Sequence, residues 1–134
     1  MTDGTIDHIG IATISLDESE KLWSILGFTR EGDQINSEQG VKIRFMHGKT
    51  STKIELLEPL GEDTPVGKFI SNKGPGIQQI AIRVSDIEET ISSLLRMGVK
   101  MVSEIPTLGA EGHRIAFVHP SSSGGVLIEL VESN

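Results

Sequence analysis

The sequence of 134 residues contains no cysteine and no tyrosine, and aromatic residues make up only 4% of it. Without cysteine the protein can form neither disulfide bonds nor a catalytic thiolate, and this composition is typical of a reducing compartment. Lysine and arginine number 12 against 19 acidic residues, which gives a net charge of −7. Because positive charge and stacking side chains are both scarce, the composition argues against a nucleic-acid-binding surface.

Long hydrophobic runs are also missing from the sequence. No run approaches the roughly 20 apolar residues that a membrane-spanning helix needs. The N-terminal stretch MTDGTIDHIG has neither the basic nor the apolar segment of a secretory signal. We therefore expect a soluble cytoplasmic protein, and the length fits a single domain.

An internal repeat is the most informative pattern in the sequence. The stretch TIDHIGIAT (5–13) has the same rhythm as GIQQIAIRV (76–84), at an offset of 71 residues. In this alignment His8 matches Gln79 and Gly10 matches Ala81. Both stretches read as short strands. The chain is therefore predicted to contain one structural unit twice.

The residues that follow each strand extend the repeat. Each copy continues with a Ser-x-x-Glu capping box, a helical pattern and a glycine at the expected helix end, namely Ser15, Glu18 and Gly27, then Ser85, Glu88 and Gly98. Three strand-like runs follow in each copy: 27–33, 41–48 and 52–59, then 98–104, 113–120 and 125–132. Each copy is thus predicted to be βαβββ, with a short helix near 65–71 in the linker.

These patterns predict an α+β fold. Module one covers about 4–60, the linker 61–75, and module two about 76–134, together making one domain of 1–134. A unit of four strands and one helix leaves one sheet face uncovered, and pairing two units covers that face or forms a cleft.

Four polar residues lie on the predicted strands among apolar neighbours: His8, Glu55, Gln79 and Glu129. One interpretation is that they face solvent. The other is that the repeat brings them together around a pseudo-twofold axis, where one nitrogen and three oxygens would suit a six-coordinate divalent ion with two waters. Two carboxylates would offset the charge of the ion.

The motifs DHIGIA, EQGVKIRFM, KIELLEP, GPGIQQIAIRV and HPSSSGGVLIELVE closely resemble those of the methylmalonyl-CoA epimerases, which belong to the vicinal oxygen chelate superfamily. The resemblance covers nearly the whole chain. It implies a glyoxalase-like fold with a U-shaped sheet around a central cleft, an acyl-CoA substrate and a divalent metal held by His8, Glu55, Gln79 and Glu129. It also implies that Glu38 is a catalytic base, and we expect Glu129 to act as the second.

This chain departs from the family at Gln79, where the epimerases usually have histidine. An amide oxygen is a harder ligand than imidazole but equally neutral, so we expect Co²⁺ or Mn²⁺, with Zn²⁺, Ni²⁺ and Mg²⁺ as alternatives. A homodimer is also expected. Two other functions stay open: a lyase of the glyoxalase I type with the same metal ligands, and a metal-free small-molecule binding protein of the same fold.

Overall fold

The computed structural model describes residues 4–133 of the chain. Within them, residues 8–78 form one compact unit, and residues 79–133 together with 4–7 form another. Three α-helices and eight strands lie in the described part. None of these helices has both the length and the apolar character needed to cross a bilayer.

Module one consists of β1 (Thr5–Ala12), α1 (Leu16–Ile25), β2 (Thr29–Asn36), β3 (Val41–His47) and β4 (Lys53–Pro59). The strands lie in the order β2-β3-β4-β1, with β1 and β4 parallel and the other pairs antiparallel. Helix α2 (Pro65–Lys73) follows at the position predicted from the linker and ends two residues later than expected. The βαβββ prediction is confirmed for this module.

Module two consists of β5 (Gly76–Val84), α3 (Ile87–Arg96), β6 (Thr107–Leu108), β7 (Arg114–Val118) and β8 (Ile128–Glu132). Its strand order is β5-β8-β7-β6, with β5 and β8 parallel. Because each module pairs its first strand in parallel with its last, the internal repeat predicted from the sequence is present in the topology.

The prediction of a strand at 98–104 is wrong. That segment forms only an isolated bridge, between Met101 and Val118, and the second strand of module two is the two-residue β6 further along the chain. Met101 is buried in the apolar core beneath α3. Met101, whose apolar side chain contributed to the strand-like pattern, therefore packs in the core of module two instead.

The helices begin and end largely as predicted. Ser15 caps α1 through its hydroxyl, which accepts a hydrogen bond from the backbone N–H of Glu18. In α3 the cap is Asp86 rather than the predicted Ser85, because the Asp86 carboxylate accepts from Glu89 and the helix starts one residue later. Gly27 and Gly98 follow the helices at positive φ, as the left-handed C-cap requires.

Helices α1 and α3 each pack on one face of the strands of their own module. In module one Leu16, Met46, Ile54 and Leu56 are buried, and Ile11, Trp23 and Phe28 pack against them. In module two the buried core comprises Val84, Ile87, Ile91, Met101, Ala116, Val118 and Leu130. Since these side chains occupy the helix-facing sides of the strands, the residues that alternate with them are directed to the opposite faces.

Candidate functional site

His8 and Glu55 lie side by side in module one. They are carried by the parallel neighbours β1 and β4, in which Gly10 pairs with Glu55. The Nδ1 atom of His8 is 3.2 Å from Oε2 of Glu55, and the side chains are only 4% and 9% exposed. Phe45 lies opposite Glu55 on β3. An imidazole nitrogen and a carboxylate oxygen thus lie together in a buried place.

Gln79 and Glu129 form the corresponding pair in module two. Here β5 and β8 are the parallel neighbours, and Ala81 pairs with Glu129. The amide nitrogen of Gln79 donates a hydrogen bond of 2.5 Å to Oε1 of Glu129. Both residues are buried, at 8% and 6% exposure. Beside them lies an apolar cluster of Ala81, Ile115, Phe117 and Val131.

The two pairs occupy equivalent places in the repeat. In module one the glutamate is paired across the strands with Gly10, and His8 lies two residues before Gly10. In module two the glutamate is paired with Ala81, and Gln79 lies two residues before Ala81. All four side chains are buried. The interpretation that these polar residues face solvent is therefore wrong. Their assignment as metal ligands stays a prediction.

The spacing of the His8 and Glu55 donor atoms is compatible with a divalent metal. First-row ions bind nitrogen and oxygen ligands at about 2.1 Å, so two adjacent ligand atoms at a right angle lie about 3 Å apart. The 3.2 Å between His8 and Glu55 agrees with this spacing. In the Gln79–Glu129 pair the amide presents its nitrogen to the carboxylate. Ligation by Gln79 requires its oxygen, and therefore a rotation of the amide group.

Asp7 is a carboxylate near this site that the sequence reasoning missed. It precedes His8 on β1, and one ligand atom each from Asp7, His8 and Glu55 lie within 4.8 Å of one another. These residues form a candidate metal-binding triad. Asp7 also accepts two hydrogen bonds of 3.1 Å from the guanidinium of Arg83. The signal in the sequence was the acidic residue directly before the candidate ligand, in the stretch IDHI.

Glu38, the expected base, lies on the β2–β3 hairpin of module one. It occupies the turn at 37–40 between β2 and β3, and its side chain is exposed. The turn is ordered by hydrogen bonds from the Gln39 N–H to the Asn36 side chain and from the Gly40 N–H to the Ser37 carbonyl. Its carboxylate is open to a molecule approaching from solvent.

Comparison with known proteins places the chain in a family. A model of the glyoxalase/bleomycin resistance protein/dioxygenase superfamily matches residues 7–117. The chain belongs to this superfamily. Its α+β architecture of two βαβββ modules is the glyoxalase-like fold, as the resemblance predicted.

Several relatives are similar over nearly the full length. The mitochondrial methylmalonyl-CoA epimerase of Dictyostelium discoideum is 37% identical over 131 residues, which are 96% of this chain and 78% of that protein. A hypothetical protein from Bacillus halodurans, of known structure, is 42% identical with a TM-score of 0.94, covering 98% and 96% of the two chains. A variant of the Streptomyces coelicolor methylmalonyl-CoA epimerase, solved in complex with 2-nitronate-propionyl-CoA, is 36% identical with a TM-score of 0.90, covering 96% and 94%.

Proposed function

We propose that this superfamily member is a methylmalonyl-CoA epimerase, which interconverts the (R) and (S) forms of its substrate at the 2-carbon. The observation that carries the proposal is the pair of buried donor sets, His8 with Glu55 and Gln79 with Glu129, at equivalent positions of the two modules. The similarity to named epimerases over nearly the whole chain supports the same activity.

The proposed metal ligands are His8, Glu55, Gln79 and Glu129. A divalent ion bound there would supply positive charge that stabilises the negative charge of an enolate. One neutral nitrogen with amide and carboxylate oxygens favours Co²⁺ or Mn²⁺. We leave Asp7 outside the ligand set because its carboxylate already binds the guanidinium of Arg83.

The proposed proton transfer uses two carboxylates. The 2-carbon lies between a thioester and a carboxylate, and inversion requires a proton to leave one face and another to arrive at the opposite face, which one base cannot easily do. We assign these roles to Glu38 and Glu129. One of them takes the proton and leaves the enolate, and the other, in its acid form, returns a proton from the opposite side.

The decisive experiment follows the 2-carbon directly. Purified protein, loaded with Co²⁺ or Mn²⁺, is incubated in D₂O with one epimer of methylmalonyl-CoA. Mass spectrometry then follows deuterium at the 2-carbon, and a stereospecific coupled assay follows inversion. We expect both to be catalysed. If the metal-loaded protein does neither faster than buffer, the proposal is wrong; turnover of a glutathione thiohemiacetal would identify a lyase instead.

A matched pair of variants tests whether the site carries the activity. Glu129 and Glu132 are both carboxylates on β8, but Glu132 binds Arg114 and the start of α3. Glu129→Gln should lose turnover and metal affinity, whereas Glu132→Gln should keep the turnover of each folded molecule. Equal losses in the two variants would contradict the assignment of Glu129.

A further inference from the structure

Arg44 is a buried cation in the middle of module one, only 3% exposed. Its guanidinium donates to both carboxylate oxygens of Asp33, each at 2.8 Å, through Nε and Nη2. Its Nη1 donates to Asp17 at 2.8 Å and to Glu20 at 2.9 Å. We call these four residues the Arg44 cluster. Hydrogen bonding to Arg44 lowers the pKa of both Asp17 and Asp33, so these carboxylates are charged at neutral pH.

The Arg44 cluster joins three elements of the module. Asp17 and Glu20 lie on α1, Asp33 on β2, and Arg44 on β3, directly opposite Asp33. Strand β2 has little apolar surface to attach it, since its one large apolar side chain, Ile35, is 59% exposed. Hydrogen bonds and ion pairs therefore take the place of apolar packing in holding β2 to the module, whereas Met46 of β3 lies with Leu16 of α1 in the apolar core.

In module two the residue equivalent to Arg44 carries no charge. Arg44 corresponds to Ala116 in the repeat, and Ala116 lies in the apolar core under α3. Burying charges costs more than packing apolar side chains of similar volume, so a buried ion cluster is weak evidence for stability alone. In the described part of module two the arginine that bridges helix and strands, Arg114, is 42% exposed, so the full burial of Arg44 points to a requirement for fixed geometry in module one.

The β2–β3 hairpin carries Glu38 in its turn. Past Glu38, the turn is also held at Gly40, whose carbonyl accepts a 2.8 Å hydrogen bond from the Leu60 N–H. The hairpin is thus anchored by the pairing of β3 with β4, by this backbone hydrogen bond at its turn and, on the side of β2, by the Arg44 cluster. Proton transfer by Glu38 requires its carboxylate to lie close to the 2-carbon of the substrate. These anchors favour that placement, because an error of about 1 Å in position can lower the rate 10²-fold.

We propose that Arg44 is a positioning residue for Glu38, holding the hairpin so that this carboxylate reaches the substrate. This inference rests on the proposed function, in which Glu38 exchanges the proton at the 2-carbon. Arg44 itself lies on the face of β3 opposite to that of Phe45 and touches α1, so it acts through the hairpin.

The test combines substitutions at the two residues in the Co²⁺-loaded protein. Arg44→Lys keeps the charge but loses the forked hydrogen bonds to Asp33. We expect kcat to fall about tenfold while KM and metal content stay within about twofold. In a Glu38→Gln background the same substitution should have almost no further effect, because residues that act through one another are not additive. Asp33→Asn removes the same ion pair at a less buried position, and it should give the same fall in kcat with unchanged KM and metal content. It therefore tests the proposal even if Arg44→Lys folds poorly.

Arg114 of module two is the matched control. It also makes two hydrogen bonds to one carboxylate, that of Glu132, and one to Glu88. Arg114→Lys should lower the melting temperature without changing kcat. Amide hydrogen exchange at 36–41 should become faster in Arg44→Lys and stay unchanged in Arg114→Lys.

The outcomes separate two kinds of failure. If Glu38→Gln lowers turnover but Arg44→Lys lowers it by the same factor in both backgrounds, the positioning role is wrong and the proposed function stands. If Arg44→Lys leaves kcat unchanged, the positioning role is likewise wrong. If Glu38→Gln has wild-type turnover, the assignment of Glu38 fails, and the inference fails with it.

Discussion

The carboxylate of Glu132 accepts a hydrogen bond of 2.9 Å from the backbone N–H of Ile87, the first residue of α3. In module one Glu58 makes the same contact with the N–H of Leu16, the first residue of α1, at 3.1 Å. The first N–H groups of a helix have no partner within it, and the helix dipole favours negative charge there. In each module the last strand therefore stabilises the start of the helix that packs on it.

We expect Glu132→Gln to lower the free energy of unfolding by about 1.5–3 kcal/mol at pH 7, the usual range for a hydrogen bond to a charged group. Hydrogen bonding to Arg114, and then to the Ile87 N–H, lowers the pKa of Glu132. A lowered pKa favours the charged form in the folded state, so this stabilisation is complete above the ordinary pKa and is lost as pH falls through the folded pKa. Urea unfolding at pH 7 and below pH 4 should show the difference between variant and wild type shrinking.

Glu58→Gln is the control for that experiment. Glu58 contacts the start of α1 as Glu132 contacts that of α3. Glu132 has the additional bonds from Arg114. Glu58→Gln should therefore cost less stability. A cost at Glu58 equal to or above that at Glu132 would contradict the importance of the arginine.

The repeat could be predicted from the sequence because it shows in short-range patterns, namely helix caps and the alternation of polar and apolar residues. Ser15 before α1, Gly27 after it and the alternation around His8 all depend on near neighbours. The burial of Glu55 and Glu129 could also be predicted, since both interrupt apolar strands.

Features that depend on distant partners escaped prediction. Met101 reads as part of a strand, yet it packs beneath α3. Arg44 and Asp33 are eleven residues apart on separate strands, and nothing local marks them as partners. Asp7 meets Arg83 across 76 residues. Pairings of this kind are set by strand register and helix placement, which a single sequence does not specify.

Removing the metal should lower both activity and the melting temperature. An ion that binds only the folded state at 100 times its dissociation constant stabilises it by about 2.7 kcal/mol. Melting curves with and without Co²⁺ or Mn²⁺ measure this shift. Glu55→Gln should reduce the shift, whereas Glu58→Gln, three residues along β4, should retain it. Full turnover after complete chelation would exclude the metal mechanism.

Glu38→Gln should reduce turnover by about 10² or more, the usual scale for a positioned general base, and leave metal content unchanged. Its side chain is exposed, so little stability should be lost. Glu129→Gln should reduce both turnover and metal content. Wild-type turnover in Glu38→Gln would remove Glu38 from the mechanism. Metal analysis of each purified variant completes the comparison.

Gln79→His should shift metal preference toward Zn²⁺, Co²⁺ and Ni²⁺ relative to Mn²⁺, because imidazole offers a softer donor than an amide oxygen. Both ligands are neutral, so turnover with the best ion should stay within about tenfold of wild type, roughly 1.4 kcal/mol of barrier. Competitive metal loading of the two proteins measures the preference. Gln78→His, one residue earlier on β5, is the control. Identical preferences in Gln79→His and wild type would mean that Gln79 is not a ligand.

Gly40→Ala should destabilise the protein and slow turnover. Gly40 has a φ of +66°, and an added Cβ would overlap Cγ2 of Thr64, the N-cap residue of α2. Gly124→Ala is the control, since Gly124 has a φ of +71° but open space around it. Both variants should lose about 1–2 kcal/mol from the left-handed conformation. Only Gly40→Ala should lose further stability from the overlap with Thr64, and only this variant should lose turnover. Equal losses of unfolding free energy in the two variants would show that the Thr64 side chain moves aside.

Strand β2 ends the sheet of module one, with a bulge between Arg30 and Gly32. The free edge of such a strand offers unpaired backbone groups to other chains, and charges and bulges discourage that pairing. Arg30, Glu31 and Asp33 supply those charges. Variants that neutralise them should therefore be checked for aggregation as well as for folding.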